Sequence, residues 1–349
     1  MQISLIKTNK EKKLFKKFRK DLYLNDPYYV STAEFTLDML LYKETEFAKS
    51  IDIYPVMCTE NDKIVITALL IHNSKDDFLQ ISFFEALDNL DKQVDCFMDY
   101  VKDFAKNLGL NRIIIGLNGH LSYGVGLSVD MKTPNTFDST YTKLYYTKYF
   151  DKYKKHELMA FSNNPSAVFP HLTEKKSNVT IRKIDFKHFD EEMERFRNIC
   201  NETIGTTFLY SQTDKNHFYD LLKPMTFFLK PENILFAEHN GEIVGFVFWH
   251  PDYNEVLKKG KQNGLLEIAT RYTLLKNKIK KVKLNSIGVK SKYRGAVTIN
   301  LLREVGKLVC KYDVIETNFV WANNVQSMGL NQRLLKNVER RFVVYEVNV

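Results

Sequence analysis

The residues best suited to bind a phosphate group lie in one turn, Lys290-Ser291-Lys292-Tyr293-Arg294-Gly295-Ala296. A predicted strand, Val282–Val289, precedes the turn, and a predicted amphipathic helix with one apolar face follows it. Unpaired N–H groups and the positive end of the helix dipole attract anions at a helix N-terminus. The turn is therefore a candidate pyrophosphate site.

Basic residues are dense on both sides of this turn. They are Lys276, Lys278, Lys280, Lys281, Lys283, Lys290, Lys292 and Arg294. The formal net charge is +9, but lysines are spread over the whole chain. That distribution favours a solvated surface over a nucleic-acid-binding stripe. The local cluster is expected to attract an anionic cofactor to the turn.

Length and composition favour a two-domain protein. A chain of 349 residues exceeds the usual size of a single hydrophobic core. The sequence contains no apolar run of about 18 residues and no signal-peptide pattern at its N-terminus, so a cytoplasmic protein without a membrane span is expected. The four cysteines are widely separated, which favours free thiols over a disulfide framework or a metal site.

The two halves repeat one order of predicted elements: strand, helix, hairpin, strand, long helix, strand. The hairpins are Ile53–Thr59 with Ile64–Ile71, and Ile234–Glu238 with Ile243–Trp249. Such alternation predicts an α/β fold (an α+β sandwich) in each half, with a mixed central sheet and helices on both faces. Internal duplication is the favoured explanation, and an unrelated pair of domains is the alternative.

The boundary between the halves is predicted near Ser162-Asn163-Asn164-Pro165, where turn-forming residues cluster. The predicted domains are residues 1–163 and 179–349. Residues 164–178, which include Pro170 and a polar run, form the predicted linker.

The order of strand, turn, helix, strand and Asn324-Val325-Gln326-Ser327 resembles the acyl-CoA-binding half of a GCN5-related N-acetyltransferase (GNAT). Scattered short matches over the full length resemble a bacterial tandem form of this superfamily. In the family turn, Arg/Gln-x-x-Gly-x-Gly/Ala, Arg294 fits the first position. Val297 and Ile299 replace the two small residues and would crowd a phosphate. Gly295 and Ala296 are the small residues that remain.

The resemblance implies a site for acetyl-CoA or another acyl-CoA in the C-terminal domain. The cofactor-binding residues that it implies are Ile287, Val289, Arg294, Gly295, Ala296, Asn324 and Ser327. The family pattern Asn-x-x-Ala-x-x-Leu-Tyr ends in a tyrosine that protonates the leaving thiolate, and here Asn331 stands at that position. An amide cannot serve as that acid. No catalytic residue is assigned.

The N-terminal half carries less of the motif. Its candidate turn, Glu85-Ala86-Leu87-Asp88-Asn89-Leu90-Asp91-Lys92-Gln93, has several acids and no glycine, so acyl-CoA binding is not expected there. A glycine-rich segment, Gly116–Gly126, could line a substrate cleft or simply form a long irregular connection.

Two functions follow from these patterns. The first is an N-acyltransferase that transfers an acyl group to an amine of a small molecule or a peptide. The second is a non-catalytic binding or scaffolding protein that keeps the GNAT fold without acyl-CoA, as Val297, Ile299 and Asn331 together would suggest. No pattern in the sequence predicts an oligomeric state.

Overall fold

The computed structural model describes residues 1–30, 33–261 and 263–349. The chain divides into two compact units. The first contains Met1–Leu158, Lys258–Gly264 and Arg340–Val349, and the second contains Met159–Leu257 and Leu265–Glu339. In the described parts of the chain, no helix has the length and apolarity needed to cross a bilayer.

Each unit follows the predicted order of elements. The first half of the chain forms β1 (Gln2–Leu5), α1 (Asn9–Leu22), α2 (Ala33–Leu41), α3 (Glu46–Ser50), β2 (Asp52–Glu60), β3 (Lys63–His72), β4 (Leu79–Ala86), α4 (Asp91–Asn107), β5 (Arg112–Ile115), β6 (Leu127–Met131), α5 (Tyr146–Phe150) and β7 (Lys154–Asn163). The second half forms α6 (Pro165–Val168), β8 (Thr180–Lys183), α7 (Phe189–Ile204), α8 (Lys215–Leu222), β9 (Ile234–His239), β10 (Glu242–Pro251), α9 (Leu265–Leu275), β11 (Lys281–Val289), α10 (Ala296–Val309), β12 (Val314–Thr317), β13 (Val320–Trp321), α11 (Val325–Leu334) and β14 (Asn337–Asn348). Both predicted hairpins, β2–β3 and β9–β10, are confirmed.

The sheet of the first unit ends with a strand from the far end of the chain. Its strand order is β1-β2-β3-β4-β5-β14, and β6 pairs with β14. β4 and β5 are parallel, whereas β14 is antiparallel to β5, from Tyr345 opposite Ile115 to Asn348 opposite Arg112. A strand more than 200 residues away in sequence therefore completes this sheet.

The sheet of the second unit begins with a strand from the first half of the chain. Its order is β7-β12-β11-β10-β9-β8, with Asn163 opposite Ile315 and Ser162 opposite Glu316. β11 and β12 are parallel, and their other neighbours are antiparallel. The mixed sheets confirm the predicted fold class.

Helices cover both faces of the second sheet. In β9, Leu235 and Ala237 belong to the hydrophobic core that includes α10, while Ile234 and Phe236 belong to the core that includes α7 and α8. Because alternate side chains of a strand point to opposite faces, the two cores lie on opposite faces of the sheet.

The predicted linker packs within the second unit. A Cβ added at Gly306 of α10 would lie 2.4 Å from Cβ of Phe169, which shows how closely this segment approaches the helix. Asn300 Oδ1 accepts a hydrogen bond from the Lys175 N–H at 2.8 Å, and its Nδ2 donates to the Lys175 carbonyl at 2.7 Å. The compact units therefore depart from the predicted boundaries at residues 164–178 and at β14.

Candidate functional site

The parallel strands β11 and β12 separate part-way along the sheet of the second unit. They pair as far as Leu284 opposite Thr317, where β12 ends, and the Asn318 N–H donates to the Leu284 carbonyl at 2.9 Å. β11 continues to Val289, and no other strand in the described residues pairs with this edge. We call the opening beside Ser286–Val289 the wedge.

The backbone of two predicted residues faces the wedge. The Lys290 N–H donates to the Val244 carbonyl of β10 at 2.9 Å, and in an antiparallel pair every second residue bonds to the same neighbour. Gly288 therefore bonds to β10, whereas the backbone groups of Ile287 and Val289 point away from it. An extended ligand could pair with this edge as an added strand.

Two local features shape β11 beside the wedge. The register with β10 shifts so that Asn285 is an extra residue where the strands separate, and such bulges bend a strand next to functional sites. At Gly288, an added Cβ would lie 2.1 Å from Oγ1 of Thr203 and 2.6 Å from Cε1 of Phe246. The glycine thus allows the C-terminal part of α7 to lie directly on β11.

The turn after β11 leads into a helix without a side-chain cap. Gly295 has φ +86° and ψ −87° as the residue before α10, and no side chain caps the helix. A Cβ there would meet nothing within 4 Å, so the backbone conformation, not space, requires glycine. The first-turn N–H groups of α10 can therefore bind an anion.

The side chain of Val297 lies in the core and not in the turn. It is 2% exposed and packs with Val289 and Leu301. The expectation that Val297 crowds a phosphate is therefore wrong, because the helix turns this side chain towards the sheet. Ile299 is half-buried.

Arg294 joins three parts of the site. Its Nε donates to the Val289 carbonyl at 3.2 Å, and its Nη1 donates to Oε1 of Gln326 at 3.3 Å. Asn324 caps α11, because its Oδ1 accepts from the Ser327 N–H at 3.1 Å. The end of β11, the turn and the start of α11 thus meet, although the Asn324 oxygen already has a partner in its own helix.

The predicted lysine cluster does not converge on the turn. At about 3.3 Å per residue, β11 separates Lys281 at its start from Lys290 by about 30 Å. Lys290 Nζ lies 2.5 Å from Oε1 of Glu242 and 2.9 Å from Oε2 of Glu202, and these carboxylates raise the lysine pKa. Lys292 and Arg294 remain as exposed cations of the turn.

The corresponding strands of the first unit also separate, but tyrosines fill the gap. β4 and β5 pair only as far as Ile81 opposite Ile115. The Ala86 N–H then donates to the Tyr146 hydroxyl at 3.0 Å, and the Tyr145 hydroxyl donates to the Ala86 carbonyl at 2.8 Å. Side chains at the start of α5 thus bond to the backbone of the last residue of β4.

A buried ion pair lies beside these tyrosines. Arg19 pairs with Glu85, and the hydroxyls of Tyr23 and Tyr146 each donate to Oε2 of Glu85 at 2.8 Å. The adjoining cavity has a volume of about 30 Å³, and the glycine-rich segment lines it through Gly116, Asn118 and Gly126. That volume suits about one or two water molecules rather than a substrate.

The fold has solved counterparts. A tandem GNAT protein from the clavulanic acid biosynthesis pathway aligns over 99% of this chain and 98% of its own, with a TM-score of 0.58 and 8% identity. The chain resembles a tandem GNAT protein. A GNAT protein from Sphaerobacter thermophilus aligns over 84% of this chain and 80% of its own (TM-score 0.51, 11% identity). A probable N-acyltransferase from Enterococcus faecalis V583 aligns over 100% of this chain and 73% of its own, with a TM-score of 0.54 and 8% identity.

Comparison of sequences gives one short match to a curated protein. A bacterial ceramide synthase from Caulobacter vibrioides is 26% identical over 152 residues, which is 40% of this chain and 39% of that protein. The matched stretch thus spans less than half of this relative. No family model matches the chain.

Three buried polar residues lie at the closed end of the wedge, and sequence reasoning named only Lys283, as a member of the lysine cluster. His250, Lys283 and Glu316 are fully buried, and Lys283 lies opposite His250 on β10 and Glu316 on β12. Lys281 Nζ contacts Oε2 of Glu316 at 3.2 Å. Only the register brings these residues together, so no local motif could have indicated them.

Burial lowers the pKa of His250 to about 3, and the positive charge of Lys283 contributes. Because the unfolded histidine titrates near 6.5, the unfolded state binds more protons between these values. The free energy of unfolding should therefore fall by up to about 1.4 kcal/mol per pH unit as the pH drops from about 6 to 4. Urea unfolding at several pH values measures this slope. It should flatten in His250→Phe, and an equal slope in both proteins would contradict the assignment to His250.

Asn331, which stands where the sequence pattern of the family has a tyrosine, is bound within α11. Asn331 Nδ2 donates to the Ser327 carbonyl at 2.8 Å, one helical turn away within α11. This amide is held by its own helix and has no acidic proton.

Proposed function

We propose that the second unit is an acyl-CoA-dependent N-acyltransferase, which moves an acetyl or other acyl group from a thioester to an amine. The observation that carries this proposal is the open edge of β11 directly before an uncapped helix N-terminus. A ligand with an extended amide-containing arm and a pyrophosphate fits both features, and CoA has both.

Different residues of the chain would bind different parts of CoA. The wedge-facing backbone groups of Ile287 and Val289 would hold the pantetheine arm, and the N–H groups beyond Gly295 and Ala296, with Arg294, would hold the phosphates. Asn324 and Ser327 would line the opposite rim at the start of α11.

Bound acyl-CoA would supply an activated thioester. A backbone N–H of β11 would orient the carbonyl and stabilise negative charge as the amine attacks. The amide of Asn331 cannot act as a general acid. Water would therefore take the proton from the ammonium group and give a proton to the thiolate.

We further propose that the acceptor is a long-chain amine or another amphipathic amine. The support is the match to a bacterial ceramide synthase, whose name denotes formation of an N-acylated lipid. Half-buried aromatic side chains close to the wedge, Phe208 and Phe319, suit an apolar chain.

Calorimetry with acetyl-CoA, CoA and a long-chain acyl-CoA tests cofactor binding, and we expect heat from all three. Hydrogen exchange should show protection of residues 286–298 in the complex. Release of free thiol should then require an amine, with long-chain amines compared against short polyamines. Absence of both heat and protection would rule out the proposal.

A non-catalytic binding protein is the second candidate, and the helix-bound amide of Asn331 favours it. This candidate predicts no calorimetric heat with CoA or acyl-CoA and no thiol release with any amine. Native mass spectrometry of the freshly purified protein separates the candidates, because a co-purifying acyl-CoA would exclude the second.

A further inference from the structure

Trp321 carries a buried donor without a partner. The residue is 4% exposed, and among the described residues its Nε1 has no hydrogen-bond acceptor. The chain has two tryptophans, and the other, Trp249, donates from Nε1 to the Glu232 carbonyl at 2.8 Å. Buried indole N–H groups are normally satisfied, so the difference calls for an explanation.

The position of Trp321 suggests one. It lies on β13, three residues after Asn318, whose N–H donates to the carbonyl of Leu284, the last residue of β11 that pairs with β12. Three residues of chain span about 10 Å at most, so Trp321 lies near the point where β11 and β12 separate.

Two phenylalanine rings lie against the ring that carries this donor. The Trp321 ring lies 5.2 Å from the ring of Phe208, in the loop after α7, and 6.2 Å from the ring of Phe319. Both phenylalanines are half-buried. The three rings therefore pack together as an apolar cluster that contains the indole N–H donor, and apolar side chains with a few polar groups are typical of ligand sites.

We propose that Trp321 Nε1 donates a hydrogen bond to a carbonyl oxygen of acyl-CoA bound in the wedge. This inference rests on the proposed function and adds a binding residue that the family motif does not contain. Two carbonyl sources share the chemistry: the amides of the pantetheine arm, which CoA also has, and the thioester, which only an acyl-CoA has.

The indole N–H signals in an ¹⁵N-correlated NMR spectrum test the proposal directly. Trp249→Phe assigns the two expected signals. Addition of acetyl-CoA should move the Trp321 proton downfield and slow its exchange, while the Trp249 signal stays in place. An equal effect of CoA would identify a pantetheine amide, and an effect of acetyl-CoA alone would identify the thioester.

Trp321→Phe separates binding from folding. Removing an unsatisfied donor while keeping a ring should leave Tm equal or higher, whereas the affinity for acetyl-CoA should fall about fivefold to tenfold. Trp249→Phe, the control, should lower Tm and leave affinity unchanged. Calorimetric heat with an unmoved Trp321 signal would overturn this inference alone, and absence of heat would overturn the proposed function with it.

Discussion

Arg294→Glu should weaken CoA binding by about 30- to 100-fold, because two charge units change beside the predicted pyrophosphate position. Arg294 is exposed and bonds to the Val289 carbonyl and to Gln326, so the change affects the turn without entering the core. Calorimetry at low salt measures the loss, which should shrink as the salt concentration rises.

The control for Arg294 is Arg303, which lies about two turns into α10 and pairs with Glu174 at 2.7 Å. Arg303→Glu makes the same charge change away from the helix N-terminus and should alter affinity by less than about threefold. Pantetheine, which lacks the phosphates, should bind wild type and Arg294→Glu equally. Equal losses of CoA affinity in the two arginine variants would show that the net charge of the protein, and not the position of Arg294, determines CoA binding.

Gly288→Val should destabilise the second unit by about 3 kcal/mol. Its Cβ would lie 2.1 Å from Oγ1 of Thr203 and 2.6 Å from a ring carbon of Phe246, so α7 would have to move away from β11. Chemical denaturation monitored by circular dichroism measures the loss.

Gly329 provides the comparison for Gly288. It lies within α11, and a Cβ there would meet nothing within 4 Å. Gly329→Ala should therefore raise the free energy of unfolding by up to about 1 kcal/mol. Gly288→Ala should also lower the free energy of unfolding, and adding Thr203→Ala should recover part of that loss, because it removes the atom nearest to the new Cβ. Additive losses in the double variant would mean that the crowding lies elsewhere.

Local patterns were enough to predict the elements that form the wedge. The strand β11 was predicted as Val282–Val289 and spans Lys281–Val289, because its apolar residues and the polar turn that follows suffice to define it. The turn between β11 and α10 was identified in the same way. The structure adds that Gly295 adopts a positive φ, which an L-residue rarely adopts.

The parts of the site that depend on register could not be predicted. Val297 seemed to crowd the turn because a motif gives position but not side-chain direction, and the helix directs it into the core. The lysine cluster is compact only in sequence, because residues that are close in sequence lie far apart along an extended strand. His250, Lys283 and Glu316 meet only through strand pairing, for which the sequence contains no local signal.

The pairing of β14 with β5 has a consequence for biosynthesis. During translation, the sheet of the first unit stays incomplete until the ribosome has released residues 345–348, which lie opposite Ile115–Arg112. The edge of β5 is exposed in the meantime, and an unpaired edge invites pairing with other chains. Slow synthesis or truncation before β14 should therefore increase the protein's dependence on chaperones. A fragment that ends at Asn163 is a poor choice for producing this unit alone.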